Sequence, residues 1–93
     1  MKKVRVKFLA YFRDIFETKD REVGLPEEAR LRELLDLLGD SSDRRDQILA
    51  GKEKIHPQVV VLINGTPAQS VGGLDARLKD GDLVAIFPFL GGG

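Results

Sequence analysis

Five branched apolar residues in succession, followed directly by Asn-Gly, constrain the fold of this chain more than any other feature of its sequence. The run is Val59 to Ile63, and Asn64-Gly65 comes next. A continuous apolar run of this kind is typical of an inner strand that is covered on both faces. Asn-Gly favours a type I′ turn, because both central residues of that turn have positive φ. The chain is therefore predicted to contain a β-hairpin whose first strand lies inside a sheet.

The return strand of this hairpin, residues 66–70, contains Pro67. Proline cannot donate to a strand ladder, so this strand is predicted to be short and to lie at an edge of the sheet. Gly72-Gly73 marks a further turn, and it lacks the lysine-serine pair of a phosphate-binding loop. Leu74 and Leu78 are predicted to cover the core from one helical turn.

The N-terminal segment predicts a second hairpin. Apolar and basic residues alternate there with the period of a strand that has one buried and one solvated face. The apolar positions are Val4, Val6 and Phe8. Residues 21–25 are predicted to pair with this strand across a charged turn, and Pro26 ends the second strand. The spacing of Phe12, Ile15 and Phe16 predicts a single helical turn that covers the core.

One stretch has clear helical periodicity. Its apolar positions recur at i, i+3, i+4 and i+7, and they are Leu31, Leu34, Leu35 and Leu38. This stripe predicts one main helix that packs across a sheet face. Gly39 is expected in the left-handed position that follows the helix, whereas Arg30 stands where a Ser, Thr or Asp cap is usual. Residues 40–51 predict a short second helix. Its candidate caps are Ser41, Ser42 and Asp43.

The last predicted strand begins at Leu83 and ends at Phe87, because Pro88 has no N–H to continue the ladder. Residues 88–93 then form a short free tail that ends in three glycines. Glycine contributes no side chain to a core, and a tail without side chains can enter a slot too narrow for other residues. Taken alone, such a tail is either a flexible end or a means of presenting the terminal carboxylate.

Together these elements predict one α+β domain, residues 1–93, in the order strand, strand, helix, strand, short strand, strand. Lys plus Arg and Asp plus Glu each number 15, so no nucleic-acid or anionic-membrane surface is expected. The absence of cysteine excludes disulfides, thiolate metal sites and a cysteine nucleophile. The longest apolar run is too short for a membrane span, and a cytoplasmic protein is expected.

No catalytic constellation is evident among the side chains. Nearly all the acidic residues fall on predicted turns or polar helix faces, including the turn at 79–82, and they are expected to be solvated. His56 is the one histidine of the chain, so it is interpreted as a solvated loop residue and not as a metal ligand. The one unusual chemical group is the carboxylate of the terminal glycine.

In their order and spacing, three stretches resemble the MoaD/ThiS family of ubiquitin-like sulfur carriers. They are Asn64-Gly65, residues 78–88 and Gly92-Gly93. The resemblance is strongest to the MoaD branch, the small subunit of molybdopterin synthase (molybdopterin converting factor subunit 1). It also includes the N-terminal strand and the leucine-striped helix. The resemblance implies the β-grasp fold of ubiquitin, with a mixed sheet of about four or five strands, one main helix and a flexible C-terminal tail.

The resemblance also implies a mechanism. A ubiquitin-activating-enzyme-like adenylyltransferase of the MoeB/ThiF type uses ATP to join the carboxylate of Gly93 to AMP, and a sulfur donor then converts it to a thiocarboxylate. The tail enters a MoaE-type large subunit, where sulfur passes to cyclic pyranopterin monophosphate on the path to the molybdenum or tungsten cofactor. The chain itself is expected to bind no metal and no cofactor, and to be the non-catalytic carrier subunit of a heterotetrameric sulfurtransferase.

The residues expected to meet these partners lie between the last strand and the terminus. They are Phe87, Pro88, Phe89, Leu90, Gly91 and Gly92. Aromatic side chains dominate such interfaces. Phe87 is equally compatible with a place in the core.

Other functions are compatible with the same tail. One is a ubiquitin-like protein modifier of the small archaeal modifier type, which Gly93 joins to lysines, and another is a sulfur carrier for tRNA thiolation. A β-grasp binding module with an inert tail is a third. The sequence departs from the MoaD branch at Phe89, where a second proline is common, at Gly91, which extends the glycine pair, and in the long segment 40–57. These departures leave the sulfur acceptor open.

Overall fold

A five-stranded mixed sheet, with helices packed on one face, forms the framework of the molecule. The computed structural model describes residues 1–51 and 53–89. In chain order its elements are β1 (Lys2–Phe8), α1 (Phe12–Ile15), β2 (Asp20–Leu25), α2 (Leu31–Leu38), α3 (Ser42–Ile48), β3 (Val59–Ile63), β4 (Thr66–Pro67) and β5 (Leu83–Pro88). Two 3₁₀ turns, Ala68–Val71 and Gly73–Asp75, lie between β4 and β5. None of the helices in the described residues has the length and apolar character needed to cross a membrane.

The strands lie in the order β2-β1-β5-β3-β4. The central pair, β1 and β5, is parallel, and the other neighbouring pairs are antiparallel. This topology confirms the predicted β-grasp fold of the α+β class. Asn64 and Gly65 have φ angles of 51° and 83°, as the predicted type I′ turn requires. β4 pairs with Leu62 and Ile63 at the sheet edge, so the prediction of a short edge strand is also confirmed.

The helix layer buries the predicted leucine stripe. Leu31, Leu34, Leu35 and Leu38 each have 0% of their surface exposed. They belong to the same core cluster as the buried residues of β1. Buried and exposed residues alternate strictly along β1, as the sequence predicted. Full burial of one leucine side chain contributes roughly 1.5–3 kcal/mol by transfer from water. The stripe therefore holds α2 across the sheet.

We expect Leu35→Ala to lower the free energy of unfolding by about 2–5 kcal/mol, because it leaves a cavity in a fully packed site. Urea unfolding followed by circular dichroism measures this change. Leu37→Ala is the matched control, since Leu37 lies on the same helix and is 51% exposed. Its expected change is within about 0.5 kcal/mol. Equal losses in the two variants would contradict the assignment of the buried face.

Gly39 ends α2 for a reason other than the one predicted. Its φ and ψ are −82° and 61°, so it does not adopt the left-handed conformation. A Cβ at this position would lie 3.0 Å from both Cα and Cβ of Arg45 in α3. Glycine is required here because the two helices approach closely. At the other end of α2, the N–H of Arg30 donates to Oε1 of Glu33 at 2.8 Å, which supplies half of a capping box.

α1 covers the core as predicted. Phe12 and Phe16 are buried, and Ile15 is half-buried against the same cluster. The rings of Phe8 and Phe16 stack with their centroids 4.5 Å apart. Contacts between aromatic rings at this separation add to the stabilisation from burial. The short helix is therefore held by its side chains.

α3 confirms the predicted second helix. Oγ of Ser41 caps it by accepting from the N–H of Arg44 at 3.2 Å. The guanidinium of Arg44 then ties α3 to α1. Its Nε donates to the carbonyl of Ile15 at 3.0 Å, one Nη lies 3.0 Å from Glu17, and the group stands 5.4 Å from the centre of the Phe16 ring.

Lys2 is a buried charge that the sequence pattern did not reveal. It lies on the apolar face of β1 and is 3% exposed. Its Nζ donates to the carbonyls of Glu27, Ala29 and Leu78 at 2.7, 2.9 and 2.6 Å. Three acceptors satisfy the three donors of an ammonium group, which is the condition for burying it.

The expectation that β3 is covered on both faces is wrong. Val61 and Ile63 face the helices and are buried, whereas Val60 and Leu62 are half-buried on the opposite face. The helices pack on one side of the sheet, so the second face of β3 has no layer above it in the described residues. We call this second face the outer face of the sheet.

Candidate functional site at the end of the last strand

β5 leads to the predicted tail and is fixed at the centre of the sheet. β1 pairs with residues 83–86, and β3 pairs with residues 84–88. Val84 and Ile86 point into the core and are 0% exposed. A strand that is hydrogen-bonded on both sides presents its end in a defined place.

Pro88 belongs to β5 and is buried, although the sequence indicated that the strand stops before it. The reason lies in the direction of its missing donor. The carbonyl of Ile86 accepts from the N–H of Leu9 at 3.1 Å, so the backbone of residues 86 and 88 faces β1. β1 ends at Phe8, so the missing donor of Pro88 faces a side on which the ladder has already ended.

Pairing continues one residue further, on the opposite side of the strand. The N–H of Phe89 donates to the carbonyl of Gln58 at 2.7 Å. Of the predicted tail, residues 88–93, the first two are therefore attached to the sheet. Leu90, Gly91, Gly92 and Gly93, the rest of the predicted site, lie outside the described residues.

The outer face of the sheet carries the aromatic residues predicted to meet a partner. Phe87 alternates with the buried residues of β5, so it lies on the outer face and not in the core. It is half-buried, and Phe89 is 61% exposed. The apolar residues that share this face are Val60 and Leu62 of β3 and Leu83 and Ala85 of β5. They form a continuous apolar surface that leads to the tail.

A row of basic residues borders this apolar surface. Lys3, Arg5 and Lys7 point outward from β1, next to β5. On the side away from β5, Glu22 lies 3.7 Å from Lys3 and Asp20 lies 4.0 Å from Arg5. These ion pairs are exposed, so each contributes little to stability. The outer face is therefore apolar in one half and charged in the other.

The family model described as ThiS family matches residues 6–93 of this chain, which includes β5 and the four residues after Phe89. The chain belongs to the ThiS family. Membership confirms the resemblance to the MoaD/ThiS group of ubiquitin-like sulfur carriers.

Individual relatives of this ThiS-family chain have different names. Small archaeal modifier protein 3 of Haloferax volcanii is 29% identical over 90 residues, which cover 97% of this chain and 98% of the relative. A solved structure from Pyrococcus furiosus, provisionally named molybdopterin converting factor, subunit 1, is 32% identical with a TM-score of 0.75, covering 95% of this chain and 98% of its own. The BexX/CysO complex of Amycolatopsis orientalis contains a chain that is 28% identical with a TM-score of 0.72, covering 97% of this chain and 99% of its own.

Asp82 of this ThiS-family chain has a structural role at the start of β5 that the sequence analysis missed. It was expected to be solvated in a turn, but it is 9% exposed. Its carboxylate accepts from Nδ2 of Asn64 at 2.8 Å and from the N–H of Lys79 at 2.7 Å. Oδ1 of Asn64 in turn accepts from the N–H of Leu83 at 2.9 Å. The residue joins the Asn-Gly turn to the first residue of β5. The available sequence signal was its place between a glycine turn and an apolar strand.

An ion pair on the helix side shifts two pKa values. Nη2 of Arg32 donates to Oδ1 of Asp75 at 2.9 Å. This hydrogen bond, reinforced by the positive charge, holds the pKa of Asp75 below its ordinary value. Hydrogen bonds to Asp75 and then to Glu53 raise the pKa of Arg32. The pair ties the second 3₁₀ turn to α2 and lies at the surface, and it provides no acid or base at the end of β5.

His56 is half-buried and hydrogen-bonded, in contrast to the solvated position that was expected. Its Nδ1 accepts from the N–H of Gln58 at 3.0 Å. Among the described residues no group of three or more histidine, aspartate or glutamate side chains is placed to hold a metal ion.

We expect Asp82→Ala to lower the free energy of unfolding by about 1–3 kcal/mol, because it removes the acceptor of two partly buried hydrogen bonds, from the side-chain amide of Asn64 and the N–H of Lys79. Urea unfolding measures the loss. Asp80→Ala is the control from the same turn, since the hydrogen bond that Asp80 accepts from the N–H of Lys3 is exposed. A loss in Asp80→Ala as large as that in Asp82→Ala would contradict the assigned role.

Proposed function

We propose that this chain is a sulfur carrier that acts as the small subunit of molybdopterin synthase. Its terminal glycine, Gly93, is adenylated, converted to a thiocarboxylate, and then gives sulfur to cyclic pyranopterin monophosphate. Family membership through residue 93 is the observation that supports this function most directly. The likeness to the Pyrococcus furiosus protein named as a molybdopterin converting factor favours the pterin as acceptor.

The chemistry requires two substitutions at the terminal carboxyl group. An oxygen of the Gly93 carboxylate attacks the α-phosphorus of ATP, and pyrophosphate leaves. Sulfur from a donor then attacks the acyl carbon, and AMP leaves with the oxygen that joined it. A carboxylate is a poor electrophile, and adenylation gives it a leaving group. The carrier contributes the acyl group, and the activating enzyme supplies ATP and the catalytic residues.

The position of β5 supports a role in which the carrier presents the acyl group and the activating enzyme performs the catalysis. The strand is held by both neighbours up to Pro88, and the N–H of Phe89 is held by Gln58. A partner can therefore bind a rigid body and receive a short chain end from it. Glycines in that end allow it to pass through a narrow channel, because they have no Cβ to clash with the walls.

The outer face is the surface we assign to partners. Phe87 and Phe89 expose aromatic area next to the tail, and Leu83 exposes aliphatic area at the other end of β5. Aromatic residues at the centre of an interface carry much of its binding energy. The BexX/CysO complex is a structure in which a chain of this fold is bound to another protein. For this chain we propose a MoeB/ThiF-type adenylyltransferase and a MoaE-type large subunit as the partners.

A second candidate function is protein modification. The relative named small archaeal modifier protein 3 spans 97% of this chain, which favours a role in which Gly93 forms an isopeptide bond with a lysine of another protein. Both functions begin with the same adenylation, and they differ in the nucleophile that attacks the acyl carbon.

The acceptor is identified by two measurements on the native protein. Transfer from the thiocarboxylate form to cyclic pyranopterin monophosphate, in the presence of a MoaE-type protein, supports the first function. Trypsin cleaves after Lys79, the last basic residue of the chain, so a conjugated protein would keep residues 80–93 on the modified lysine. Lysines of other proteins that carry this remnant support the second function. A stable complex with the MoaE-type protein that yields no molybdopterin would argue against the first function.

We expect deletion of Gly93 to abolish thiocarboxylate formation and to leave the melting temperature nearly unchanged, because this residue lies beyond the paired end of β5. Intact-mass spectrometry after incubation with the activating enzyme, ATP and a sulfur donor measures the product. Gly24→Ala is the control, since a Cβ there meets its nearest neighbour, Cε of Met1, at an ordinary 3.6 Å. Full sulfur transfer by the deletion variant would refute both proposed functions.

We expect Phe89→Ala to weaken binding to the activating enzyme by about fivefold or more, as truncation of an aromatic anchor does. Its melting temperature should not change, because the ring is 61% exposed. Isothermal titration calorimetry measures the affinity. Leu37→Ala, which removes an exposed apolar side chain from the helix side, should bind as the unaltered protein does. Equal affinity of Phe89→Ala and the unaltered protein would exclude this ring from the interface.

A further inference from the structure

The segment between α3 and β3 is held by hydrogen bonds within itself and to the end of α3. Leu49 and Ile55 form an isolated β-bridge. The N–H of Ala50 donates to the carbonyl of Lys54 at 2.9 Å, and the N–H of His56 donates to the carbonyl of Ile48 at 2.7 Å. The part of this segment next to β3 is thus attached to the end of α3, whose Ile48 is 0% exposed.

His56 is the first residue of the turn that precedes β3. Its ring Nδ1 accepts from the N–H of Gln58 at 3.0 Å, and its carbonyl accepts from the N–H of Val59 at 3.0 Å. The side-chain bond joins residue i to the N–H of residue i+2, which is the geometry that an Asx turn also uses. The ring therefore fixes the backbone of Gln58.

Gln58 carries this attachment to the end of β5. Its carbonyl accepts from the N–H of Phe89 at 2.7 Å, next to the paired residues Val59 and Pro88. A continuous series of hydrogen bonds thus runs from the buried end of α3, through His56 and Gln58, to Phe89. The bond between Phe89 and Gln58 lies beyond the last paired residues of β5 and immediately before residues 90–93.

We propose that His56 is a positioning residue for the C-terminal tail. By fixing Gln58 it holds the amide of Phe89, and this sets the point from which residues 90–93 leave the sheet. The proposal rests on the proposed function, because it assigns a role to the base of the tail that the activating enzyme receives.

The fixed base limits how far the terminal carboxyl group can reach. Four residues span at most about 14 Å when fully extended. The reacting carboxyl carbon is therefore within that distance of Phe89, and the active site of the partner must lie no further than that from the position of Phe89 in the complex. Release of the Phe89 amide adds a freely rotating residue, and each residue that the partner must then order costs conformational entropy.

Hydrogen exchange of the Phe89 amide, measured by NMR on the full chain, tests the first step. We expect His56→Ala to speed its exchange by roughly 2- to 13-fold, which corresponds to the loss of one net hydrogen bond. His56→Asn should restore the slow rate, because an asparagine side-chain oxygen can accept from the N–H two residues later. The amide of Ile86, at the centre of the sheet, is the internal control and should not change. An unchanged Phe89 rate in His56→Ala, or a rate in His56→Asn as fast as in His56→Ala, would overturn the proposal.

Steady-state adenylation with a MoeB/ThiF-type enzyme tests the second step. We expect His56→Ala to raise KM for the carrier by a similar factor, without a change in kcat, and His56→Asn to restore KM. A fall in kcat at constant KM, or unaltered kinetics despite faster Phe89 exchange, would refute the positioning role. Failure of the unaltered protein to be adenylated would refute the proposed function instead. The exchange measurement contains no enzyme, so it decides the role of His56 at the base of the tail in either case.

Discussion

The pairing of β5 with β1 and β3 is the interaction on which the rest of this structure depends. β5 comes last in the sequence and lies in the middle of the sheet, so it joins the N-terminal hairpin to the hairpin at the Asn-Gly turn. Without it, α2 would have no continuous apolar surface to cover. The same pairing fixes the chain immediately before residues 90–93, to which we assign the proposed function. Stability and presentation of the terminus are thus consequences of one strand.

Two buried charges support this arrangement from the end of the sheet where β5 begins. The ammonium of Lys2 holds the carbonyl of Leu78, and the carboxylate of Asp82 holds the Asn-Gly turn. Between them, the N–H of Gly81 donates to the backbone carbonyl of Lys3, and the N–H of Arg5 donates to the backbone carbonyl of Asp82. Buried charges are tolerated when their hydrogen bonds are satisfied. Here they fix the entry of the chain into β5, and the His56 turn fixes its exit.

Local patterns predicted most of the fold, because those elements are specified by residues close in sequence. The Asn-Gly turn, the leucine stripe and the alternation of β1 all appear in the structure as predicted. The errors concern contacts between distant segments. Gly39 is required by the approach of α3, and Pro88 fits in β5 because β1 has ended. The burial of Lys2 and Asp82 depends on partners from distant segments, and the local sign for Asp82 is its place between a glycine turn and an apolar strand. The tail was assigned a function from a family resemblance, since its glycines alone allow two interpretations.

The central position of the final strand also affects how the protein is made. A chain that ends before residue 83 lacks the strand that lies between the two hairpins, and the edges of β1 and β3 that β5 covers in the folded protein then have no partner. The five-stranded sheet can form only after β5 has been translated. Premature termination before β5 therefore yields chains that cannot form the five-stranded sheet. Any chain that forms it has been translated at least to the end of β5, immediately before the tail.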